Sequence, residues 1–270
     1  MAIADSNGVR ISWQETGAGS PILLVMGAGF SSAMWYPVIP DLAQHRRVIW
    51  FDNRGTGDSQ ATAVASIGDM AADAVAVLDA AGASAAHIYG VSLGGVIVLE
   101  LARQAPQRVL SLVLGCTGIL SADMPRAPKW SDVRFRLPRR VSVALSRKVM
   151  YGSACPPDRR DHDLDVLRRD RTQRIALVAQ QVALRAYSIR REDVAALDVP
   201  ALVLHGTEDT VVKPEVGRDL ADALPHDRFI GYPGTGHNYL VACGAHANAD
   251  VTSFLSGVDD GLVDAPTASP

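Results

Sequence analysis

The stretch His87–Leu101, HIYGVSLGGVIVLEL, sets a single serine between a short apolar run and a longer one, with Gly90 and Gly94 two positions to either side. The residues before Ser92 read as a buried strand. Those after it read as a helix apolar enough to be buried against a sheet. Either the serine is incidental to a tight turn, or the turn exists to present it. In the second case the glycines let strand and helix approach without Cβ clashes, and the turn aims the Leu93 N–H and the helix N-terminus at an oxyanion. A plain glycine-rich turn and a phosphate site are the alternatives. No Lys follows the glycines as a phosphate loop needs, and MGAGFSS (Met26–Ser32) lacks the third glycine of a dinucleotide turn.

Outward from this turn the chain alternates. GVRISWQETG, PILLVMG, RRVIWFD, AHIYG and RVLSLVLGC read as strands, and SIGDMAADAVAVLDAAG is an alanine-rich helix stopped at Gly82. SSAMWYPVIPDLAQ reads as partly helical, with Ser31 or Ser32 as N-cap. After residue 199 the pattern resumes with strand PALVLHG, helix KPEVGRDLADAL, strand DRFIGYPG and a last helix near HANADVTSFLSG. Strands alternating with helices predict an α/β fold: a mostly parallel sheet with helices on both faces. Residues 119–199 break the alternation with helices alone. One of them, DLDVLRRDRTQRIALVAQQVALRAYSIR, carries Ile175, Val178, Val182, Ala186 and Ile189 at helical spacing. The expected organisation is a core over 1–118 and 200–257, a helical insertion over 119–199, and a disordered tail over 258–270.

Composition narrows the class. The chain has 270 residues and a net charge of −3, but residues 119–199 hold 17 Lys/Arg against 10 Asp/Glu, while the remainder holds 9 against 19. That split marks the insertion as a module with its own surface. MAIADSNGVRIS has neither a basic start nor an apolar h-region, so no signal peptide is expected. No apolar run nears the roughly 18 residues that span a bilayer. Cys116, Cys155 and Cys243 show neither zinc spacing nor a disulfide framework. A soluble, cytoplasmic, enzyme-sized protein without metal or cofactor is expected. An acidic chain with no nucleic-acid module argues against nucleic-acid binding.

A serine nucleophile needs a base, and the base an orienting acid. LVLHGTEDTVV places Asp209 in the loop after a strand, and YPGTGHNYL places His237 in a glycine-rich loop after the last strand. Loops at the carboxyl ends of parallel strands are where such sheets build sites. Taken singly, Asp209 fits a turn or a helix cap, Glu208 competes for the acid role, and His237 fits a surface loop. Their joint occurrence in the order Ser, acid, His favours function.

With these residues together, the chain resembles the α/β-hydrolase superfamily over nearly its whole length. Gly90–Gly94 matches the G-x-S-x-G elbow, FDNRGTGDS (Phe51–Ser59) is similar to the family's D-x-R-G-x-G-x-S turn, and the helical insertion is similar to its cap or lid. The resemblance implies a structural role for Asp52 and Arg54, and backbone oxyanion donors at Ala28 and Leu93, although Met26 stands where the family often has His. It implies acyl transfer, with Ser92 attacking, His237 as base and Asp209 orienting it. A small or medium apolar ester or lactone is the expected substrate; GVSLGG and the following MW resemble small-lactone hydrolases such as enol-lactonases. The same triad serves a C–C bond hydrolase or a cofactor-free haloperoxidase or perhydrolase. Non-hydrolytic lyase or cyclase chemistry, or a ligand-binding receptor, is a further alternative on this fold.

Phe30, Trp35, Trp130, Phe135, Tyr151 and Tyr239 are candidate pocket residues, with core packing as the alternative for each; Met34 is another. His87 and His205 read as structural. The pairs Arg139-Arg140, Arg159-Arg160 and Arg168-Arg169 fit a solvated helix face, or a surface for an acidic substrate or carrier protein.

Overall fold

The computed structural model describes residues 1–62, 64–120 and 139–263. Eight strands form one sheet: β1 (Ala2–Ser6), β2 (Val9–Thr16), β3 (Pro21–Val25), β4 (Arg47–Phe51), β5 (Ala86–Val91), β6 (Val109–Gly115), β7 (Ala201–Gly206) and β8 (Asp227–Tyr232). Their order is β1-β2-β4-β3-β5-β6-β7-β8. The β1–β2 and β2–β4 pairs are antiparallel and all later pairs parallel. The β1–β2 hairpin turns at Asn7-Gly8, both at positive φ, with the Gly8 N–H bonded to Asp5 Oδ1 at 3.1 Å.

Period-two alternation divides the strand residues between two faces. Leu23, Val25, Ile49, Phe51, Ile88, Leu112, Leu114 and Val203 join one apolar cluster with α2 (Ile67–Ala80) and α3 (Leu93–Gln104). Ile22, Leu24, Val48, Tyr89, Val113, Leu202 and Leu204 join the other, with Trp35, Leu42 of α1 (Ile39–Leu42), and Phe254 and Leu255 near the C-terminus. The α2 helix opens on a capping box, in which Ser66 Oγ accepts from Asp69 N–H and the Asp69 carboxylate accepts from Ser66 N–H. Every residue of α3 from Leu93 to Ala102 is buried, as its apolar run requires. The one charge among them, Glu100, is held by Arg103, Gln104 and the Tyr187 hydroxyl.

Between β6 and β7 the described residues form α4 (Arg139–Val149), α5 (Pro157–Arg169), α6 (Arg174–Ala186) and α7 (Arg191–Ala195). Two expectations are corrected in this span and at the end of the chain. The long helix expected through residues 163–190 is two, α5 and α6, because the Asp170 carboxylate is drawn off to the Ser31 N–H at 2.7 Å and Gln173 N–H bonds Gly55 O at 3.1 Å. The apolar repeat on α6 is not its buried face: Ile175, Val178 and Val182 are 49, 58 and 57 % exposed, whereas Ala176, Ala179, Gln180 and Ala183 are buried. Close packing selects the small side chains, since Ala176 sits directly against Gly55. Residue 258, expected to begin a tail, lies inside the last helix. After α8 (Pro214–Ala221) and α9 (Tyr239–Ala242), α10 runs Gly244–Asp259, and its end is pinned where Asp259 meets Arg46 and His87. Among the described residues no helix is long and apolar enough to cross a membrane.

Candidate active site

Ser92 lies between β5 and α3 with φ 54 and ψ −119, a conformation a non-glycine residue adopts only under constraint. The constraint is visible on both sides. Ser92 N–H bonds Gly115 O at 2.8 Å, and Ser92 O accepts from Thr117 Oγ1 at 2.9 Å and from Gly95 N–H at 3.0 Å. A Cβ on Gly90 would strike the Gly94 carbonyl, and one on Gly94 would strike that of Val25. Both glycines of the motif are therefore required by the close approach of strand and helix.

The sheet order reverses between β3 and β5, a topological switch point, and the loops leaving these two strands meet there. Gly27 packs so closely that a Cβ would lie 3.3 Å from Ser92 Cβ. Ala28 follows it, and among the described residues neither the Ala28 N–H nor the Leu93 N–H has a hydrogen-bond partner. Ala28 thus follows the residue packed against Ser92, and Leu93 follows Ser92 itself.

Asp209 follows β7 and His237 follows β8, so both arise on the same edge of the parallel strands as Ser92. His237 Nδ1 is 2.7 Å from Asp209 Oδ2, which leaves Nε2 for a second partner. The other carboxylate oxygen, Oδ1, accepts from Val211 N–H at 2.7 Å and Val212 N–H at 3.0 Å. Burial alone would raise the Asp209 carboxyl. The His237 charge and the hydrogen bonds from His205 and His237 outweigh it and hold the group well below the usual carboxylate range. Glu208, the competing acid, instead points to Ser153, accepting from its N–H and hydroxyl at 2.6 Å each. Among the described residues Ser92 Oγ makes no hydrogen bond; catalytic hydrogen bonds are often long before substrate arrives.

His205 was expected to be structural, and the structure places it on the acid. Its Nε2 lies 2.9 Å from Val212 O and 3.3 Å from Asp209 Oδ2. A carbonyl can only accept, so Nε2 carries a hydrogen. The β7 strand ends one residue beyond it at Gly206 and the loop curls back, bringing Asp209 over His205; its place near a strand end did not show this. Cys116, His205 and Asp209 offer ligand atoms within 4.8 Å of one another. Burial and the Asp209 charge push the Cys116 thiol up, and the carboxylate is already occupied, so this cluster is a poor metal site.

The helices between β6 and β7 reach the loops that carry these residues. Asp163 of α5, fully buried, accepts from Tyr36 Oη at 3.1 Å, from the Tyr151 hydroxyl, and from Asn238 Nδ2 at 2.8 Å, next to His237. Asn238 N–H also bonds Met150 O at 2.7 Å. Gln180 of α6 accepts from Gly29 N–H at 2.9 Å, one residue beyond Ala28. Sequence reasoning missed Asp163 and Gln180; the one signal for Gln180 was an amide on a face of alanines.

Of the pocket candidates, Phe30 is half-buried on the loop after β3. Tyr151 is tied to Asp163. Trp35 and Tyr239 are corrected to core: neither has exposed area, Trp35 packs 5.0 Å from the Tyr89 ring, and Tyr239 Oη bonds Tyr89 Oη at 2.7 Å. Trp130 and Phe135 lie outside the described residues. Asp52 accepts from Ser32 and Asp58 N–H groups, and Arg54 pairs with Asp73, so both brace the loop as the resemblance implied. Arg160, Arg168, Arg190 and Arg191 each meet a nearby carboxylate.

A family model described as the alpha/beta hydrolase fold matches residues 20–241. The candidate carbamate hydrolase RutD of Azorhizobium caulinodans is 31 % identical over 96 % of this chain and 100 % of its own. The 2-hydroxymuconate semialdehyde hydrolase of a Pseudomonas species is 29 % identical over 93 % of this chain and 92 % of its own. The solved structure of Est816, an N-acyl homoserine lactone degrading enzyme, superposes with a TM-score of 0.81 at 25 % identity, covering 94 % of this chain and all of that one.

Proposed function

The chain belongs to the α/β-hydrolase fold family and is an enzyme of hydrolase type, and from that premise we propose that it is a serine hydrolase cleaving a small or medium apolar ester or lactone through an acyl-enzyme on Ser92. The observation that carries this reading is the 2.7 Å Asp209–His237 bond on the sheet edge where Ser92 is held in its strained turn.

Ser92 Oγ attacks the carbonyl carbon while His237 Nε2 takes its proton, and Asp209 fixes the imidazole tautomer and supports its positive charge. The negative oxygen of the tetrahedral species accepts from the Ala28 and Leu93 N–H groups. The C–O bond breaks, the leaving oxygen takes the proton from His237, and Ser92 is left acylated. Water, deprotonated by His237, attacks the acyl-enzyme; the carboxylic acid departs and the serine regains its hydrogen. The helices between β6 and β7 act as a cap that excludes water and shapes the pocket.

Intact-mass labelling with a fluorophosphonate, on wild type, Ser92→Ala and His237→Ala, tests the reading. Labelling of wild type alone, with 4-nitrophenyl acetate turnover lost in both variants, supports it; an unlabelled wild type, beside a labelled control hydrolase, overturns it. Likeness to a 2-hydroxymuconate semialdehyde hydrolase favours one second reading, C–C bond hydrolysis by the same triad. Turnover of a β-diketone faster than of matched esters would select it.

A further inference from the structure

Gln180 holds two facts that the hydrolytic scheme leaves unused. Its side chain is 1 % exposed, and its Oε1 accepts the Gly29 N–H at 2.9 Å. Its Nε2 is buried without a hydrogen-bond partner among the described residues. The orientation of the amide is fixed by chemistry: Gly29 N–H can be met only by an oxygen, so Nε2 is necessarily the atom left over. Since both atoms sit on one amide carbon, an unpaired two-hydrogen donor stands one amide group away from the loop whose preceding residue, Ala28, offers the oxyanion N–H.

Buried donors in native proteins are nearly always paired, and those that are not tend to be paired by a ligand or a water. The surroundings of Gln180 make an idle placement costly. Ala176, Ala179 and Ala183 on the same face are small and apolar, and the chain entering α6 is anchored by Asp170 to Ser31 and by Gln173 to Gly55. An apolar residue would fill this face as well for packing alone, yet a glutamine is used and only half of it is satisfied.

We infer that Gln180 Nε2 is a substrate-binding donor that receives a second acceptor oxygen of the substrate, carried on the acyl part close to the scissile carbonyl. The inference rests on the serine-hydrolase reading and narrows it. The acyl group is not a plain hydrocarbon but carries a carbonyl or ether oxygen within reach of the loop after β3. An uncharged amide donor suits any of these oxygens and offers nothing to a methylene in the same place, so it discriminates by leaving itself unpaired with the wrong substrate.

The test compares wild type with Gln180→Met, close in volume, and Gln180→Leu, on two matched ester pairs. One pair is 4-nitrophenyl methoxyacetate against 4-nitrophenyl butanoate; the other is 4-nitrophenyl 4-oxopentanoate against 4-nitrophenyl 4-methylpentanoate. The readout is the ratio of kcat/KM within each pair. Loss of the Gly29 anchor, or partial misfolding, lowers both members together and leaves the ratio alone. A fall of about fivefold or more in the ratio for either pair, in both variants, is expected from loss of one hydrogen bond. A smaller change in both pairs overturns the proposal while the hydrolase reading stands. Failure of wild type to turn over any of the four esters, together with no fluorophosphonate labelling, overturns both.

Discussion

Asp209 Oδ2 stands 2.7 Å from His237 Nδ1, and the same residue's Oδ1 is fixed by the N–H groups of Val211 and Val212. The carboxylate is thus positioned before the imidazole reaches it, and the hydrogen on Nδ1 is the one it selects. Asp209→Asn keeps the shape and loses the selection, because an amide can present N–H to Nδ1 and favour the wrong tautomer. With a 4-nitrophenyl ester, kcat is expected to fall about 10⁴-fold, by the magnitude seen where a triad acid is so changed. Glu208→Gln is the paired control. Its carboxylate serves Ser153, so kcat should stay within about twofold, as for a surface change remote from the chemistry. A larger fall for Glu208→Gln than for Asp209→Asn would reverse the assignment of the acid.

The Ala28 N–H has no side chain to remove, so its role is tested through the backbone. Ala28→Pro deletes the hydrogen and nothing larger than a ring is added on a half-buried loop residue. Loss of one oxyanion donor is expected to raise the barrier by about 3–4 kcal/mol, some 10²–10³ in kcat, with KM nearly unchanged. The check is steady-state kinetics beside an unfolding curve. A kcat near that of wild type in a folded variant would remove Ala28 from the oxyanion site.

Legibility in the sequence tracked how local each cause was. The elbow could be read because its glycines and its serine are consecutive and their steric need is met within one turn. The parallel strands could be read because burial on both faces leaves uninterrupted apolar runs. Hairpin strand β1 was not read as a strand; it is short, and three of its five residues are exposed. The break between α5 and α6 depends on Asp170 meeting Ser31, 139 residues away in the chain, so helical periodicity ran straight through it. Which face of α6 is buried is set by the fold in the same way, since only the docked partner Gly55 shows that alanines are needed there. His205 and Asp163 likewise acquire their meaning from the fold. Each is an ordinary polar residue in its own segment and a partner of the site only once the loops close.

His205 donates from Nε2 toward both Val212 O and Asp209 Oδ2, inside a site with no side-chain exposure. Replacing it by Phe leaves that carbonyl without its donor and the acid with one fewer. The expected loss is about 1–3 kcal/mol of stability, for one buried group left unsatisfied. Glutamine at this position carries an amide N–H that can reach the same acceptors, so His205→Gln should recover part of both stability and kcat. Thermal unfolding and ester kinetics on the two variants check this. Equal losses in Phe and Gln would show that the ring's packing against Gly217, and not the hydrogen bond, is what the loop requires.

His87 gives the fold a dependence on pH distant from the chemistry. It is fully buried on β5, with Nδ1 2.7 Å from Ser111 Oγ and Nε2 3.0 Å from Asp259 Oδ1, and Asp259 also meets Arg46. Burial holds the imidazole below its usual 6.5, against the pull of Asp259 and with the Arg46 charge adding to the depression. In the window between 6.5 and that lowered value, the unfolded chain binds a proton that the folded one refuses. Stability therefore falls as pH drops below about 6.5, by at most about 1.4 kcal/mol per pH unit for the one group. Asp209, held low in the folded state, acts in a separate window: its contribution is present above the unfolded value near 3.9 and is lost below it. Urea unfolding across pH 2.5–7.5 should show the first decline in wild type, and His87→Gln should flatten it while leaving the loss below about pH 4 in place. An unchanged slope in His87→Gln would assign the decline to another group.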